Sequence, residues 1–375
     1  MTMHTLDPLA NANVRVLLEE TLARRLGRKH CVLTGRGASA IYLALKALPG
    51  KPGKVVVPAI ACSSPASVPL YAGWEPVFCD ISLRDFNMCP DSLQGVLDKH
   101  RDVSAIMPVH LYGQAAPMEE ILTIAAAHGL PVIEDAAQAL GASYHGRPLG
   151  AWGDVSIISF GHTKTLDIGW GGAALTDDAK IAAKLRSESA ILPGRPPHIA
   201  RLFEEWRKTY YALIALAEMN PDLHALFLPL PEIFREMYLF GLEDNFVPSI
   251  LSALDDLEIR VTARRKHARA YRAGLQHPAL HHPLLDENDA PWRYSFLAGK
   301  GLQKKLVQAL RDAGIDASTW YPSLHRWHAI GRAQDPAYLQ NALRLESEVV
   351  NLWVNPDLPG ERIEQTCDLI QRIVS

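Results

Sequence analysis

Between residues 31 and 176 the chain alternates short, continuously apolar runs with helical stretches, and that alternation limits its possible folds more than any other feature. The runs are CVLT, KVVVPAI, EPVFCDI, SAIMPVH, PVIEDAA, DVSIISF and GGAALT, with helical stretches near 63–72, 91–99 and 117–128 among them. A strand buried on one face alternates apolar and polar residues. These runs are apolar at nearly every position, as strands covered on both faces are. Strands linked through helices imply βαβ units and a mostly parallel sheet. Ligands of such sheets bind beyond the carboxyl ends of the strands. The polar residues just past those ends are therefore the candidates for function.

Most of them fall between 132 and 176. Val132 and Ile133 run into Glu134 and Asp135, and the run from Val155 to Ile158 leads into Ser159, with Lys164 close behind. Glycines crowd around the lysine at Gly161, Gly169, Gly171 and Gly172, so backbone can come close to a ligand. Upstream, CVLTGRGASAIYLALKAL reads as a strand, a glycine turn and a helix. The start of such a helix aims unpaired N–H groups and a positive dipole end at one point, which makes Gly37, Ala38 and Ser39 a candidate anion site. A deprotonated amine forms a Schiff base with a carbonyl. An acid facing a pyridine nitrogen keeps it protonated, which makes pyridoxal 5'-phosphate an electron sink. Lys164, Asp135, and Ser159 with residues 37–39 meet these needs.

The remainder of the chain sets the frame. Residues 13–28 read as an amphipathic helix with Gly27 near its stop. The segment 195–245 is rich in aromatics, leucine and proline, and reads as an insertion of two or three short helices with breaks. A lid, a dimerisation element, a surface that meets an apolar partner and core packing are all open to it. A long helix over 248–274 follows, then a mixed α/β pattern over 291–375. The expected division is a large domain over 1–250 and a small C-terminal domain over 251–375. A net charge of -3 gives no electrostatic reason to expect nucleic acid as a partner. The five cysteines form no CxxC pair, which argues against a zinc site or a disulfide framework and for a reducing compartment. No basic flank leads into an apolar stretch at the N-terminus, and no run approaches the roughly 20 residues of a membrane span. A cytoplasmic protein without bound metal is the expectation.

VIEDAAQALGASY, followed by GDVSIISFGHTK and GWGGAALTDD, resembles the DegT/DnrJ/EryC1/StrS family of pyridoxal-phosphate-dependent aminotransferases. VLTGRGASAIYLALKAL, VVVPAIAC, GWEPVFCDI, PVHLYGQ and RRKHARAYRAGL add to the resemblance. It implies an α/β fold of the aspartate-aminotransferase type (PLP fold type I). The large domain would hold a mainly parallel seven-stranded sheet, the small domain would be α+β, and the active sites would lie at a homodimer interface. By the same resemblance Lys164 carries the Schiff base and moves the proton, Asp135 pairs with the pyridine nitrogen, and Gln138 lies near the ring hydroxyl. Ser159, Gly37, Ala38 and Ser39 hold the phosphate, joined by Asn245 from the second subunit. The implied reaction moves an amino group from an amino-acid donor, glutamate in the first place, to a keto or aldehyde acceptor. A keto-sugar or nucleotide-linked keto-sugar of polysaccharide or secondary-metabolite biosynthesis is the acceptor the family suggests. A lyase or dehydratase on the same cofactor bed and a non-catalytic regulatory protein are the alternatives.

Two positions depart from the family pattern. Cys62 stands where an aromatic residue commonly stacks on the cofactor ring, and Asn245-Phe246-Val247 lacks the arginine of the usual Asn-x-Arg. Lys164 is retained, which argues against the dehydratase branch with histidine at that position. Outside the motifs, His110 ends a strand on the same edge and is either a pocket group or structural. Arg293 suits either a donor carboxylate or a surface ion pair. Trp320, Tyr321, His325, Arg326 and His328 form a turn that either closes over a substrate or packs between domains.

Overall fold

The computed structural model describes residues 8–220, 223, 226, 227, 230–328 and 336–375. Helix α1 (Pro8–Arg25) leads into β1 (His30–Thr34) and α2 (Gly37–Ala47). Then β2 (Lys54–Pro58), α3 (Ser64–Tyr71), β3 (Glu75–Cys79), α4 (Pro90–Lys99), β4 (Val103–Ile106), α5 (Met118–His128) and β5 (Ile133–Asp135) follow in strict alternation. A small hairpin of β6 (Ser143–Tyr144) and β7 (Arg147–Pro148) precedes β8 (Val155–Ser159) and β9 (Gly172–Thr176). Every apolar run of the alternating region thus contributes a strand.

The strands pair in the orders β3-β2-β4 and β1-β9-β8-β5. Pairing is parallel throughout the first set and between β5 and β8, while β9 runs antiparallel to both its neighbours. The single seven-stranded ladder implied by the resemblance is interrupted. β4 and β5 meet only at the bridges Ile106–Val132 and Val109–Asp135. Pro108 and Pro131 flank that seam, and proline has no N–H to give a ladder. Their carbonyls still accept, from Asp135 N–H (2.9 Å) and Ile106 N–H (3.0 Å) respectively.

Alternate residues of each strand reach different cores. Val55 and Val57 pack with Ile41, Leu43 and Leu45 of α2, while Val56 between them packs with Leu93 and Leu97 of α4 and Ile121 of α5. Both faces are covered, so both must be apolar. At the other edge Leu18, Leu22 and Leu26 bury against Leu33, Ile158 and Leu175.

After α6 (Ala179–Ala190) comes the aromatic segment, with α7 (Ile199–Met219), α8 (Leu230–Ile233) and α9 (Arg235–Tyr238). The first of these is one helix of 21 residues rather than a short piece. Leu202, Phe203, Trp206, Tyr210, Leu213 and Ala217 recur at three or four residues and pack on the core of α2. The long helix expected over 248–274 is two, α10 (Val247–Asp255) and α11 (Leu257–Gly274). The break falls at Asp255-Asp256, where carboxylates oppose the negative end of one helix and favour the start of the next. The chain ends in β10 (Leu280–His281), β11 (Tyr294–Ala298), α12 (Leu302–Asp312), β12 (Ala317–Ser318), α13 (Leu324–His328), α14 (Gln340–Glu348), β13 (Val349–Leu352) and α15 (Gly360–Val374). These four strands form an antiparallel sheet, order β10-β11-β13-β12, under Tyr271, Leu306, Leu310, Ile363 and Ile370. Among the described residues no helix is long and apolar enough to cross a membrane.

Candidate active site

The carboxyl ends of β5 and β8, the start of α2 and the loop between β8 and β9 converge on one cavity of about 400 Å³. Its walls include Gly37, Ala38, Cys62, Asp135, Ser159 and Lys164. These six candidates lie far apart in sequence, and the crossover connections of the sheet bring them together.

The start of α2 is set against β8 and β9 with no space to spare. A Cβ on Gly37 would lie 3.1 Å from Ser159 Cβ, and one on Gly172 would lie 2.6 Å from the Arg36 carbonyl carbon. The first N–H groups of a helix have no intrahelical acceptor. Gly37 and Ala38, at that helix start, line the cavity together with Ser159. Ser39 does not share that wall. It sits one helical step further round, fully buried, and its Oγ donates to the carbonyls of Tyr238 (2.9 Å) and Phe240 (3.0 Å). The Ser39 side chain thus fastens the end of the aromatic segment to α2.

Lys164 rides on the 160–171 loop. Phe160 N–H donates to Gly171 O (2.9 Å), Gly171 N–H to Gly35 O (2.7 Å), and Lys164 N–H to Gly161 O (3.2 Å). Thr163 takes the left-handed region at φ 67°, a conformation costing a β-branched residue roughly 1–3 kcal/mol. Its N–H donates to Asp167 Oδ2 (2.8 Å), and its carbonyl accepts from Trp292 Nε1 (2.5 Å). The loop is tied at both ends, with the lysine at its crest. Lys164 Nζ lies 5.9 Å from the centre of the Trp292 ring. Burial lowers the lysine's pKa, and Arg293 and Arg36 lower it further against Cys62 and Asp135.

Asp135 ends β5 almost wholly buried, its Oδ1 accepting from Ala137 N–H (3.0 Å). Burial raises its pKa, against the Ala137 N–H and the Lys164 charge. Burial also raises the Cys62 thiol, which Lys164 draws back down.

Gln138 lies behind the wall. Its Oε1 accepts from Tyr112 N–H (2.9 Å) and its Nε2 donates to the Tyr321 hydroxyl (3.3 Å), so it reaches the cavity through Tyr321. Asn245 is exposed on the turn Asp244–Phe246 and stands outside the cavity. His110 is structural, fully buried, with Nδ1 accepting from Ala116 N–H (3.0 Å) and Nε2 3.1 Å from Glu134 Oε1. Arg293 is only 3% exposed and forms no ion pair among the described residues. Trp320 and Tyr321 do line the cavity. His325 is bonded instead to Ser323 (2.6 Å) and Arg326 to Glu346 (3.3 Å), and the side chain of His328 lies outside the described residues.

Several lining residues carry no motif. Arg36 lies inside the glycine turn, donates to Met237 O (2.5 Å) and lies 5.9 Å from the centre of the Tyr238 ring. Phe203, Trp206, Arg207 and Tyr211 come from one face of α7 and stand across from Trp292, Trp320 and Tyr321. Their spacing of three to four residues is visible in the sequence, but the wall they would form is not.

An α/β fold with a lysine on a β–β loop, an aspartate at a strand end and a helix start between them defines an aminotransferase of the aspartate-aminotransferase type. The chain belongs to the DegT/DnrJ/EryC1/StrS aminotransferase family, which it matches over residues 9–193 and 247–371. The stretch between, carrying α7 to α9, lies outside the match. The chain is 40% identical over 357 residues to the UDP-N-acetyl-3-dehydro-alpha-D-glucosamine 3-aminotransferase of Acidithiobacillus ferrooxidans, covering 95% of this chain and 87% of that one. It is 28% identical over 353 residues to the UDP-2-acetamido-2-deoxy-3-oxo-D-glucuronate aminotransferase of Pseudomonas aeruginosa, covering 93% and 88%. The crystal structure of a DegT DnrJ EryC1 StrS aminotransferase from Brucella abortus superposes with a TM-score of 0.76 at 25% identity, covering 99% and 91%.

Proposed function

We propose that the chain binds pyridoxal 5'-phosphate in the 400 Å³ cavity and transfers an amino group from glutamate to a nucleotide-linked keto-sugar in sugar biosynthesis. The observation that carries this reading is the convergence of Lys164, Asp135 and the α2 start on one cavity. The cavity fits the group. The helix start and Ser159 offer donors to a phosphate, and close packing on Gly37 and Gly172 lets bare backbone approach it. Asp135 would face the ring nitrogen and Lys164 the carbonyl carbon. Cys62 would lie against the ring, supplying a thiol where the family has an aromatic face. Gln138 would act through Tyr321. When bound, the cofactor supplies an electron sink for a carbanion beside an imine.

The chain's own residues do the rest. Lys164, its pKa lowered by burial, gives up its proton more readily than an exposed lysine and can return one at the same atom. Asp135 holds a proton or a charge at a fixed point in a setting that favours the protonated form. The rings of α7 and of Trp292, Trp320 and Tyr321 line the cavity on which that lysine opens and would leave a slot for a sugar ring. The UDP-keto-sugar substrates named for the two relatives support a substrate of that class here. In a homodimer Asn245, exposed on its turn and outside its own chain's cavity, would reach a neighbouring subunit's phosphate site.

In a spectroscopic assay of the purified holoenzyme, L-glutamate should shift the cofactor absorbance and a UDP-linked 3-keto-sugar should reverse the shift. Release of ammonia without any lasting spectral change would instead mark an elimination enzyme and end the transferase reading.

A further inference from the structure

The end of the aromatic segment is strapped across the glycine turn that opens α2. Gly35 N–H donates to Phe240 O (3.0 Å), and Phe240 N–H donates to Ser39 Oγ (3.1 Å). A Cβ on Gly35 would sit 2.2 Å from the Phe240 ring, so the strap lies directly on the turn. Arg36, between those two anchors, is tied to the same strap through NH1, which donates to Met237 O (2.5 Å). Its guanidinium carbon lies 5.9 Å from the centre of the Tyr238 ring, and the Tyr238 hydroxyl lies 3.2 Å from Ser63 Oγ on the cavity lining. Residues 237–240 fall outside the family match, which resumes at residue 247. The insertion therefore meets the candidate phosphate site as well as forming one wall of the cavity.

Arg36 is an unspent cation on that cavity. Among the described residues the NH1 bond is the only hydrogen bond its guanidinium makes, and no carboxylate pairs with it. Asp135, the single carboxylate of the lining among the described residues, is held by Ala137 N–H (3.0 Å) and faces the Lys164 charge. Arg207, the other guanidinium of the lining, is taken by Glu204 (2.9 Å). Burial lowers the Arg36 pKa, against Tyr238 and Cys62. A guanidinium in such a wall calls for an anion with paired oxygens. Arg36 also caps α2 in extended backbone (φ -169°, ψ 168°), next to helix N–H groups that favour the same kind of ligand.

We propose that Arg36 is a further cofactor-binding residue, pairing its free N–H groups with the phosphate of pyridoxal phosphate while NH1 keeps hold of the strap. This rests on the pyridoxal-phosphate reading above. It gives the phosphate a cation from the same chain, beside the neutral donors of Ser159 and the helix start. It also makes the insertion part of the phosphate site, so that binding of the cofactor secures residues 237–240. The acceptor's diphosphate offers a guanidinium the same oxygens. The two sources make different predictions.

The test measures dissociation constants by absorbance for pyridoxal phosphate and for pyridoxal, which has the ring and carbonyl but no phosphate. The full-length chain is compared with Arg36→Gln and Arg36→Lys. Arg36→Gln should weaken pyridoxal phosphate about 100-fold, as loss of one partner of a charge pair does, and leave pyridoxal within about threefold. Arg36→Lys should recover part of the loss, since it keeps the charge without the planar fork. The phosphorus resonance of bound cofactor should titrate at higher pH in Arg36→Gln than in wild type, because a neighbouring cation favours the dianion. Binding of UDP to the holoenzyme, followed by calorimetry, should stay within about threefold, as for an independent site. Equal weakening of the two aldehydes would make Arg36 a packing residue and overturn the assignment. Loss of UDP binding with cofactor affinity unchanged would overturn it in favour of the acceptor. One arm needs no variant and stands even if Arg36→Gln does not fold. Hydrogen exchange at the Phe240 amide of the wild-type chain should slow about tenfold with pyridoxal phosphate and not with pyridoxal. Equal exchange with both would separate the strap from the phosphate and end the proposal. A protein that forms no chromophore with either aldehyde would refute the cofactor reading itself, an outcome distinct from all of these.

Discussion

Glu134 and Asp135 are adjacent carboxylates that β5 sends to opposite faces, and their uses diverge accordingly. Glu134 is fully buried and accepts from Gly150 N–H (2.5 Å), Trp152 N–H (2.7 Å), Gly153 N–H (3.0 Å) and Ser156 Oγ (2.9 Å), besides His110. Burial alone would raise its pKa, but His110 and the N–H groups of Gly150 and Gly153 outweigh it and hold the acid at about 2. A folded-state pKa below the ordinary 4.5 contributes stability that is complete above about 4.5 and lost as pH falls towards 2. Glu134→Gln should therefore cost roughly 3–5 kcal/mol at pH 7, as removal of one partner from a buried charged network does. Urea midpoints at several pH values check this: the wild-type midpoint should fall between pH 4.5 and 2 more steeply than the variant's. Parallel falls would show that Glu134 is not the group responsible. Residue types at strand ends were legible, because Lys164, Asp135 and Ser159 sit where apolar runs stop. Side-chain direction was less so. Ser39 is one helical step from Ala38 and faces away, and Arg293 lies under Trp292 and Trp353, partners distant or unmarked in sequence.

At the scale of elements, α7 departs most from the family pattern and contributes most of one wall. Trp206 stacks on Tyr210 (5.0 Å between centres, 13° between planes) and meets Tyr238 edge-on (6.4 Å, 89°). The helix thereby holds an aromatic face against the cavity without any backbone strain among its residues. Trp206→Ala should raise the KM for the keto-sugar acceptor by about 10- to 100-fold, the scale of a lost apolar contact. The rate with glutamate alone should stay within about threefold, because the lost ring would face the acceptor's sugar. Separate measurement of the two half-reactions decides it, and equal damage to both would place α7 in general packing. The alternating strands and helices were legible because burial on both faces leaves an unbroken apolar signature. The 21-residue length of α7 was not, since its aromatics and the prolines on either side of it suggest breaks. The stop at Asp255-Asp256 was also missed, because apolar residues keep a helical period straight across it.

Across the whole molecule, the cavity draws on distant parts of one chain. Its floor comes from residues 36–38 and 135–164, one wall from α7, and another from Trp292, Trp320 and Tyr321 near the C-terminal sheet. Such a site is assembled only when the entire chain has folded. In the proposed homodimer the exposed Asn245 would extend that logic to a second subunit. Sedimentation should give about twice the 41.3 kDa chain mass, and Asn245→Ala should weaken cofactor binding about tenfold, the loss of one good hydrogen bond, without dissociating the dimer. A fully active monomer would dismiss the shared site. The central claim rests on one amine. Wild-type protein loaded with pyridoxal phosphate should show a borohydride-reducible chromophore that fixes the cofactor to the peptide carrying Lys164. Lys164→Ala should lose that chromophore and at least about 10³-fold of the transamination rate while keeping the wild-type circular dichroism. A Lys164→Ala protein that still formed the reducible chromophore and still transferred amino groups would contradict the account.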